Sequence, residues 1–401
     1  MKKLKLSHKK CSRIHVGKIT NDCPELNIHG EKMKNSNQEK YLGDLVDKSG
    51  RIKPTIQDRI SKGYGILSEI KAILEEIRLG KYKVEMGLKL RQAMLINGLL
   101  FNSEAWHSVS LQDIAGLEKI DEALLRYLLD CHPKTPLEFL FLESGAIPIR
   151  YILSSRRINY LQTILKRDEE ELTRRVFEAQ LVKPCSGDFA ELVKKDLESI
   201  GMPFNKAFIQ NTGVDAFKAF IKKKITAAAH MHLTAKQADH SKVSEIKFES
   251  LETQPYLLST MFSDEETKLL TALRSRMHDG FKKNFSQLHG GQVNCPLECW
   301  STNAQPFKDS QQHLLVCKTI LDRFQTNDIV EDFQYSDLFG KDIKKQKQIA
   351  VLFAKLIEIK QEIKKEREPA NLDPCISYSI NLCNGDARST PVLIVCPSGN
   401  K

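Results

Sequence analysis

The chain has 401 residues, of which 41% are hydrophobic and 28% are charged, and its formal net charge is +10. That length predicts two or three domains with a sizeable core. The longest apolar run, "AMLINGLLF" at 93–101, is too short to cross a bilayer, and no apolar segment follows the basic start as in a secretory signal. The ten cysteines have no regular spacing outside 295–317, which indicates reduced thiols rather than a disulfide framework. We therefore expect an intracellular protein, in the nucleus or cytoplasm, that has no membrane partner.

The basic residues are unevenly distributed along the chain. Residues 1–100 contain 21 Lys or Arg and 11 Asp or Glu, and the remaining residues contain 40 of each. The whole excess of +10 therefore lies in the first quarter of the sequence, which predicts a polyanionic partner such as nucleic acid there. The alternative is a basic face that serves only solubility.

In chain order, the patterns predict a mostly α protein with a small α/β piece at its N terminus. The alternating stretches "SRIHVG" (12–17) and "ELNIHG" (25–30) indicate short strands that end at turn glycines. From residue 54 on, apolar residues recur at helical spacing, and capping signals predict helix starts at Thr55, Ser110, Thr135, Asp188 and Ser263. The residues from Glu368 to the end have little periodicity and predict a flexible tail.

The segment "CPLECWSTNAQPFKDSQQHLLVC" combines three cysteines and a histidine within 23 residues. A helix over "QQHLLVC" would place His313 and Cys317 on one face, one turn apart. With Cys295 and Cys299 they would form a closed shell of three thiolates and one imidazole, which suits a structural Zn²⁺. The alternative is a set of reduced core cysteines beside an ordinary helix.

Motifs for catalysis are absent from the sequence. It contains no Walker loop, no GxGxxG, no GxSxG, no HExxH and no adjacent pair of aspartates. The acidic run at 168–171 is better explained as a helix N-terminus, where the dipole favours negative charge, than as a cation site. No catalytic residue is therefore predicted.

Three N-terminal segments resemble the reverse transcriptases of non-LTR (LINE-like) retrotransposons: "LKLSHKKCSRIHVGK", "CPELNIHGEKM" and "KYLGDLVDKSG". The resemblance continues through "IQDRISKGYGILSEI", "LRQAMLINGLLFNSEAWHSV" and the Cys/His segment, and the order of the segments is its most specific feature. It implies a palm and hairpin remnant (1–53), a thumb-like helical region (54–180), a C-terminal helical region (181–290), a CCHC zinc module (291–320), a helical segment (321–367) and a tail (368–401).

The sequence departs from that family at the catalytic motifs. Polymerase chemistry needs carboxylates that hold two metal ions, and the family keeps them in two motifs, one an aromatic-x-Asp-Asp box. Asp22, Asp44 and Asp47 are the first aspartates of the chain, and none matches either motif. The resemblance therefore implies a non-catalytic C-terminal fragment, from a truncated copy or an incomplete gene, that needs no catalytic Mg²⁺ and binds RNA or an RNA/DNA duplex.

By the same resemblance, seven basic residues are candidate nucleic-acid contacts: Lys9, Lys10, Lys53, Arg59, Lys62, Arg156 and Arg157. The first two match a family segment whose lysine lies near the leaving pyrophosphate. The next three lie at the start of the first thumb-like helix, where a thumb follows the duplex backbone. The last two are adjacent and diverge on a helix, so one is expected to face nucleic acid and the other to form a structural ion pair.

Two functional classes remain open from the sequence. The first is a non-catalytic remnant of a reverse transcriptase that binds nucleic acid. The second is a helical scaffold or interaction protein with a structural zinc and no nucleic-acid role.

Overall fold

The computed structural model describes residues 11–16, 26–28, 30–41, 43–76, 82–240, 243–276, 297, 311–324 and 335–367. This part of the chain is mostly helical, as the sequence predicts. None of its helices is both long enough and apolar enough to span a membrane.

Among the residues that the structure describes, six short strands precede the first helix: β1 (Ser12–Arg13), β2 (Asn27–Ile28), β3 (Glu31–Lys32), β4 (Lys34–Asn35), β5 (Gln38–Tyr41) and β6 (Asp44–Asp47). They form three two-stranded ladders, of which β1 with β4 is parallel and the hairpins β2–β3 and β5–β6 are antiparallel. The predicted turn residue Gly30 has a φ of +80°, a conformation that glycine adopts without a steric penalty. The described residues of this region contain strands alone, without the helix that an α/β piece would include.

The helices are α1 (Lys53–Glu76), α2 (Lys83–Leu90), α3 (Asn97–Leu99), α4 (Leu111–Leu129), α5 (Leu137–Ser144), α6 (Ile149–Leu165), α7 (Leu172–Val182), α8 (Phe189–Ser199), α9 (Lys206–Asn211), α10 (Val214–Ala238), α11 (Pro255–Leu258), α12 (Asp264–Arg274), α13 (Gln311–Leu314), α14 (Lys318–Phe324) and α15 (Ile343–Arg367). A π-helical segment, Arg91–Ile96, joins α2 to α3. Single 3₁₀ turns occur at Ser103–Ala105 and Tyr335–Phe339.

Side-chain caps explain where several helices begin. Ser110 and Asp113 form the predicted capping box of α4, because each side chain bonds the other residue's backbone N–H. The capping box predicted at Thr135 does not form: Pro136 occupies the N-cap position of α5, without a side-chain cap. The start predicted at Thr55 is also wrong, since α1 begins two residues earlier, at Lys53.

Within the described part of the chain, two clusters of buried apolar side chains make up the core. The smaller one joins α1, the π-helical segment, α3, α4 and the start of α6, around the fully buried Trp106. The larger one extends from α4 and α5 through the helices that follow, to α15. Because α1 supplies Ile56, Ile70 and Leu74 to the smaller cluster, it cannot be removed without exposing part of the core.

A buried polar network links distant parts of the chain in the larger cluster. The guanidinium of Arg274 donates to both carboxylate oxygens of Glu143, at 2.6 and 3.1 Å, and both side chains are almost fully buried. Tyr256 donates its hydroxyl to the same carboxylate at 2.6 Å, and Arg274 also donates to the carbonyl of Leu338 at 2.7 Å. The network thus connects α5, α11, α12 and the 3₁₀ turn before α15.

Candidate functional site

The β5–β6 hairpin is fixed to the start of α1 by side-chain hydrogen bonds. The Thr55 hydroxyl bonds both the N–H and the carbonyl of Leu45, at 2.9 and 3.0 Å. Arg59 donates to the Gly43 carbonyl at 2.9 Å and to the Asp44 carboxylate at 3.0 Å. The hairpin and α1 therefore form one rigid surface at the N-terminal end of the helical body.

A cleft of about 390 Å³ separates this hairpin from residues 102–107. His107 bonds the Gly50 carbonyl at 2.9 Å across its floor, and Tyr41 is 69% exposed at its rim. Asp44, Asp47 and Glu104 line the cleft, together with the guanidinium of Arg51. Because carboxylates outnumber cations among its described lining residues, phosphate groups are better placed on the surrounding basic surface than within the cleft.

Three of the predicted nucleic-acid contacts lie on the first turns of α1. Lys53 is exposed at the first position of the helix. Lys62 is also exposed, and its ammonium pairs with Asp58 one turn earlier, a surface interaction worth at most about 1 kcal/mol that a phosphate can replace. Arg59 is mostly buried, because its guanidinium is held by Asp44 and lies 5.1 Å from the ring centroid of Phe101.

The adjacent arginines of α6 both bind protein groups. Arg157 is buried and donates two hydrogen bonds to Asp196, at 2.5 and 2.8 Å. Arg156 donates to the carbonyl of Leu100, which follows α3, and to the side chain of Asn97, the first residue of α3. Burial lowers the pKa of the Arg156 guanidinium. Arg157 forms the structural ion pair expected of one member of this pair, and Arg156 supports a helix end.

Two of the four predicted metal ligands are described by the structure, and both are buried. Cys317 is fully buried and His313 is 6% exposed. The predicted single helix over "QQHLLVC" is wrong, because α13 ends at Leu314 and α14 begins at Lys318, with a turn in which Val316 donates to the His313 carbonyl at 3.0 Å. His313 therefore lies in the last turn of α13, and Cys317 immediately precedes α14.

Several predicted residues fall outside the described part: Lys9, Lys10, Cys295 and Cys299. Among the residues that the structure does describe, no group of three or more His, Cys, Asp or Glu side chains is arranged to hold a metal. The imidazole of His313 and the sulfur of Cys317 are nevertheless donor types that Zn²⁺ accepts, and both lie in a buried setting.

A second basic surface is not predicted by the overall charge distribution. Helix α10 contains five lysines and one aspartate, although the residues after 100 are neutral in sum. A charge count over windows the length of a helix, rather than over the whole remainder of the chain, would have found it.

Comparison with known proteins gives no relative for this chain. No protein-family model, no curated protein and no solved structure matches it.

Proposed function

We propose that this chain is a non-catalytic C-terminal part of a LINE-like reverse transcriptase, and that it binds RNA or an RNA/DNA duplex through its N-terminal strands and the start of α1. The observation that supports the proposal is the confinement of the entire +10 charge excess to residues 1–100. The quoted sequence segments support the choice of family.

The distribution of exposed cations agrees with such a surface. Seven basic side chains on the strands, on the link that follows β6 and on the start of α1 are exposed: Lys32, Lys34, Lys40, Lys48, Arg51, Lys53 and Lys62. Lysine side chains hold phosphates as flexible point charges and do not distinguish bases. Binding should therefore be weakly selective for sequence and steeply dependent on salt, since it gains most of its free energy from counterion release.

A charge-reversal experiment on the full chain tests this surface. The variant Lys40→Glu/Lys53→Glu should weaken binding of a labelled RNA/DNA duplex and reduce the slope of log K against log salt, by about 0.9 for each phosphate that is no longer neutralised. The matched control, Lys344→Glu/Lys355→Glu, changes the charge by the same amount on exposed positions of α15. Equal affinities for the two variants would contradict the proposal. Truncation before residue 101 is not a suitable test, because α1 supplies Ile56, Ile70 and Leu74 to the core.

The proposal includes the absence of polymerase activity from these 401 residues. It rests on the missing carboxylate motifs, without which two metal ions cannot be held at a primer terminus. The purified chain should extend no primer on an RNA template with Mg²⁺ or Mn²⁺. Template-dependent incorporation above that of a heat-inactivated sample would contradict this part of the proposal.

A helical scaffold with a structural zinc is the second candidate function. It is favoured by one observation, that Arg59, Arg156 and Arg157 bind protein groups rather than facing solvent. Under this function the basic N-terminal surface maintains solubility, and the Lys40→Glu/Lys53→Glu variant would bind nucleic acid no more weakly than its control.

A further inference from the structure

The segment that contains α9 and α10 is strongly basic. Residues 205–236 include six lysines and a single acidic residue, Asp215. In the described part of the chain, Lys218, Lys222 and Lys223 are exposed and form no ion pair, whereas Lys206 pairs with Glu178 at 2.7 Å. Unpaired lysines concentrated on one helix produce a local positive potential that favours an anionic polymer.

The buried face of α10 determines where these lysines point. Phe217, Ile221 and Ile225 are buried against the neighbouring helices α5 and α6. Successive residues of an α-helix are turned by about 100°, so three consecutive lysines on the other side spread across the whole exposed surface. They are Lys222, Lys223 and Lys224.

Lys222 borders a second cleft, of about 390 Å³, between α10, α6 and the π-helical segment. Its other polar lining includes Arg91, Gln92 and Ser155, and none of its described lining residues is a carboxylate. Ammonium, amide and hydroxyl groups together provide hydrogen-bond donors for phosphate oxygens. The cleft is therefore suited to a backbone phosphate, in contrast to the acidic cleft at the hairpin.

Two aromatic rings face solvent on the side of α10 that lies across Lys223 from this cleft. Phe208 of α9 is 41% exposed and Phe220 of α10 is 37% exposed, and their ring centroids are 5.7 Å apart in an edge-to-face arrangement. The ammonium of Lys224 lies 5.9 Å from the centroid of the Phe220 ring. Exposed phenyl rings next to lysines are the combination by which proteins stack unpaired bases while they hold the phosphates.

We propose that the α9–α10 surface, defined by Phe208, Phe220, Lys222, Lys223 and Lys224, binds single-stranded nucleic acid. A duplex does not fit, because its bases are stacked on one another and present no free faces to a phenyl ring. A second copy of this chain does not fit either, because the lysines of the two copies would repel each other. This surface is separate from the basic surface at the N-terminal strands and α1. It adds single-stranded nucleic acid, with unpaired bases, to the duplex ligand proposed above.

The test uses the full chain and two labelled strands of about 12 nucleotides, oligouridylate and an abasic strand of the same length. Phe220→Leu keeps the apolar volume but removes the aromatic face. It should weaken oligouridylate binding between about fivefold and a hundredfold, leave abasic binding unchanged, and be rescued by Phe220→Trp. Lys222→Glu/Lys223→Glu should weaken the binding of both strands, in contrast to the control Lys344→Glu/Lys355→Glu.

Three results would overturn this proposal. One is an unchanged preference for oligouridylate over the abasic strand in Phe220→Leu. Another is equal binding by the two lysine variants. The third is a wild-type dimer in sedimentation equilibrium that Phe220→Leu dissociates, which would assign the surface to a second copy. The N-terminal variant Lys40→Glu/Lys53→Glu separates the two proposals, since it should reduce duplex binding and leave the effect of Phe220→Leu intact.

Discussion

Arg157 of α6 and Asp196 of α8 form an ion pair with two hydrogen bonds in the interior of the helical body. Their side chains are 5% and 9% exposed, and Ser154 donates a further hydrogen bond to Asp196 at 2.7 Å. The pair fixes α8 against α6, so the role of Arg157 follows from a carboxylate 39 residues away and not from the neighbouring sequence "SSRRINYL".

Removal of one partner of this pair should destabilise the protein strongly. Arg157→Ala leaves the Asp196 carboxylate buried and without its cation, which should lower the free energy of unfolding by about 3–5 kcal/mol. Urea denaturation followed by circular dichroism measures the change. The double variant Arg157→Met/Asp196→Leu should recover most of the loss. An Arg157→Ala midpoint equal to that of the wild type would show that the pair contributes nothing.

His232 should make the protein less stable in acid. The Nδ1 atom of the imidazole lies 2.7 Å from the Tyr151 hydroxyl. Burial lowers the pKa of His232 below the ordinary 6.5, and the positive charges of Lys236 and Arg150 lower it further. The carboxylates of Glu138 and Glu118 oppose this shift. Below about pH 6.5 the unfolded chain then binds a proton that the folded chain does not, so stability falls as the pH falls through the folded pKa. His232→Gln stays neutral, and its urea midpoint should decrease less than that of the wild type between about pH 7 and pH 5. Parallel pH profiles would contradict this.

Cys131 should be an unreactive thiol. Burial, with the charge of Glu143, raises its pKa from 9.0 to about 12, which reduces the thiolate fraction at neutral pH about a thousandfold. Cys185 is exposed and provides an internal control. Iodoacetamide at about pH 8 should alkylate Cys185 in the folded protein and Cys131 only after urea is added, as peptide mass spectrometry can determine. Equal labelling of the two thiols before denaturation would disprove the prediction.

One Zn²⁺ per chain is predicted at Cys295, Cys299, His313 and Cys317. Elemental mass spectrometry on protein purified without chelator should give a ratio near one, falling to near zero in Cys317→Ser and His313→Ala. The exposed Cys185→Ser is the matched control and should retain the metal. Because ligation contributes on the order of 10 kcal/mol in small zinc modules, the variants should also expose the segment around α13 and α14 to protease. A metal-free wild type would contradict this prediction.

The local signals in the sequence predict helices well where a cap and an apolar face coincide. Ser110 and Ser263 begin α4 and α12 at the predicted positions, because a capping box uses only residues within one turn. The local pattern predicts that Thr55 begins α1, but its hydroxyl bonds Leu45 in the hairpin, a contact between elements that local patterns do not contain.

At the candidate sites, too, local sequence patterns fail where a side chain binds a residue that is distant in the sequence. Arg91 begins a π-helical segment and binds Asp121 and the Ile147 carbonyl, which are 30 and 56 residues away. The charge total places the excess of basic residues in the first hundred residues. It missed the surface of α10 because the acidic residues that balance those lysines in the sum lie elsewhere in the sequence.

The buried contact between Glu143 and Arg274 has a consequence for the order of events during synthesis. The two residues are 131 positions apart, so the ribosome needs on the order of 10 s to complete the partner after the carboxylate has emerged. During that interval the carboxylate of Glu143 has no Arg274 to pair with, so burying it in its final position would leave it without a cation. The larger core can therefore bury this carboxylate together with its cation only after α12 has been synthesised.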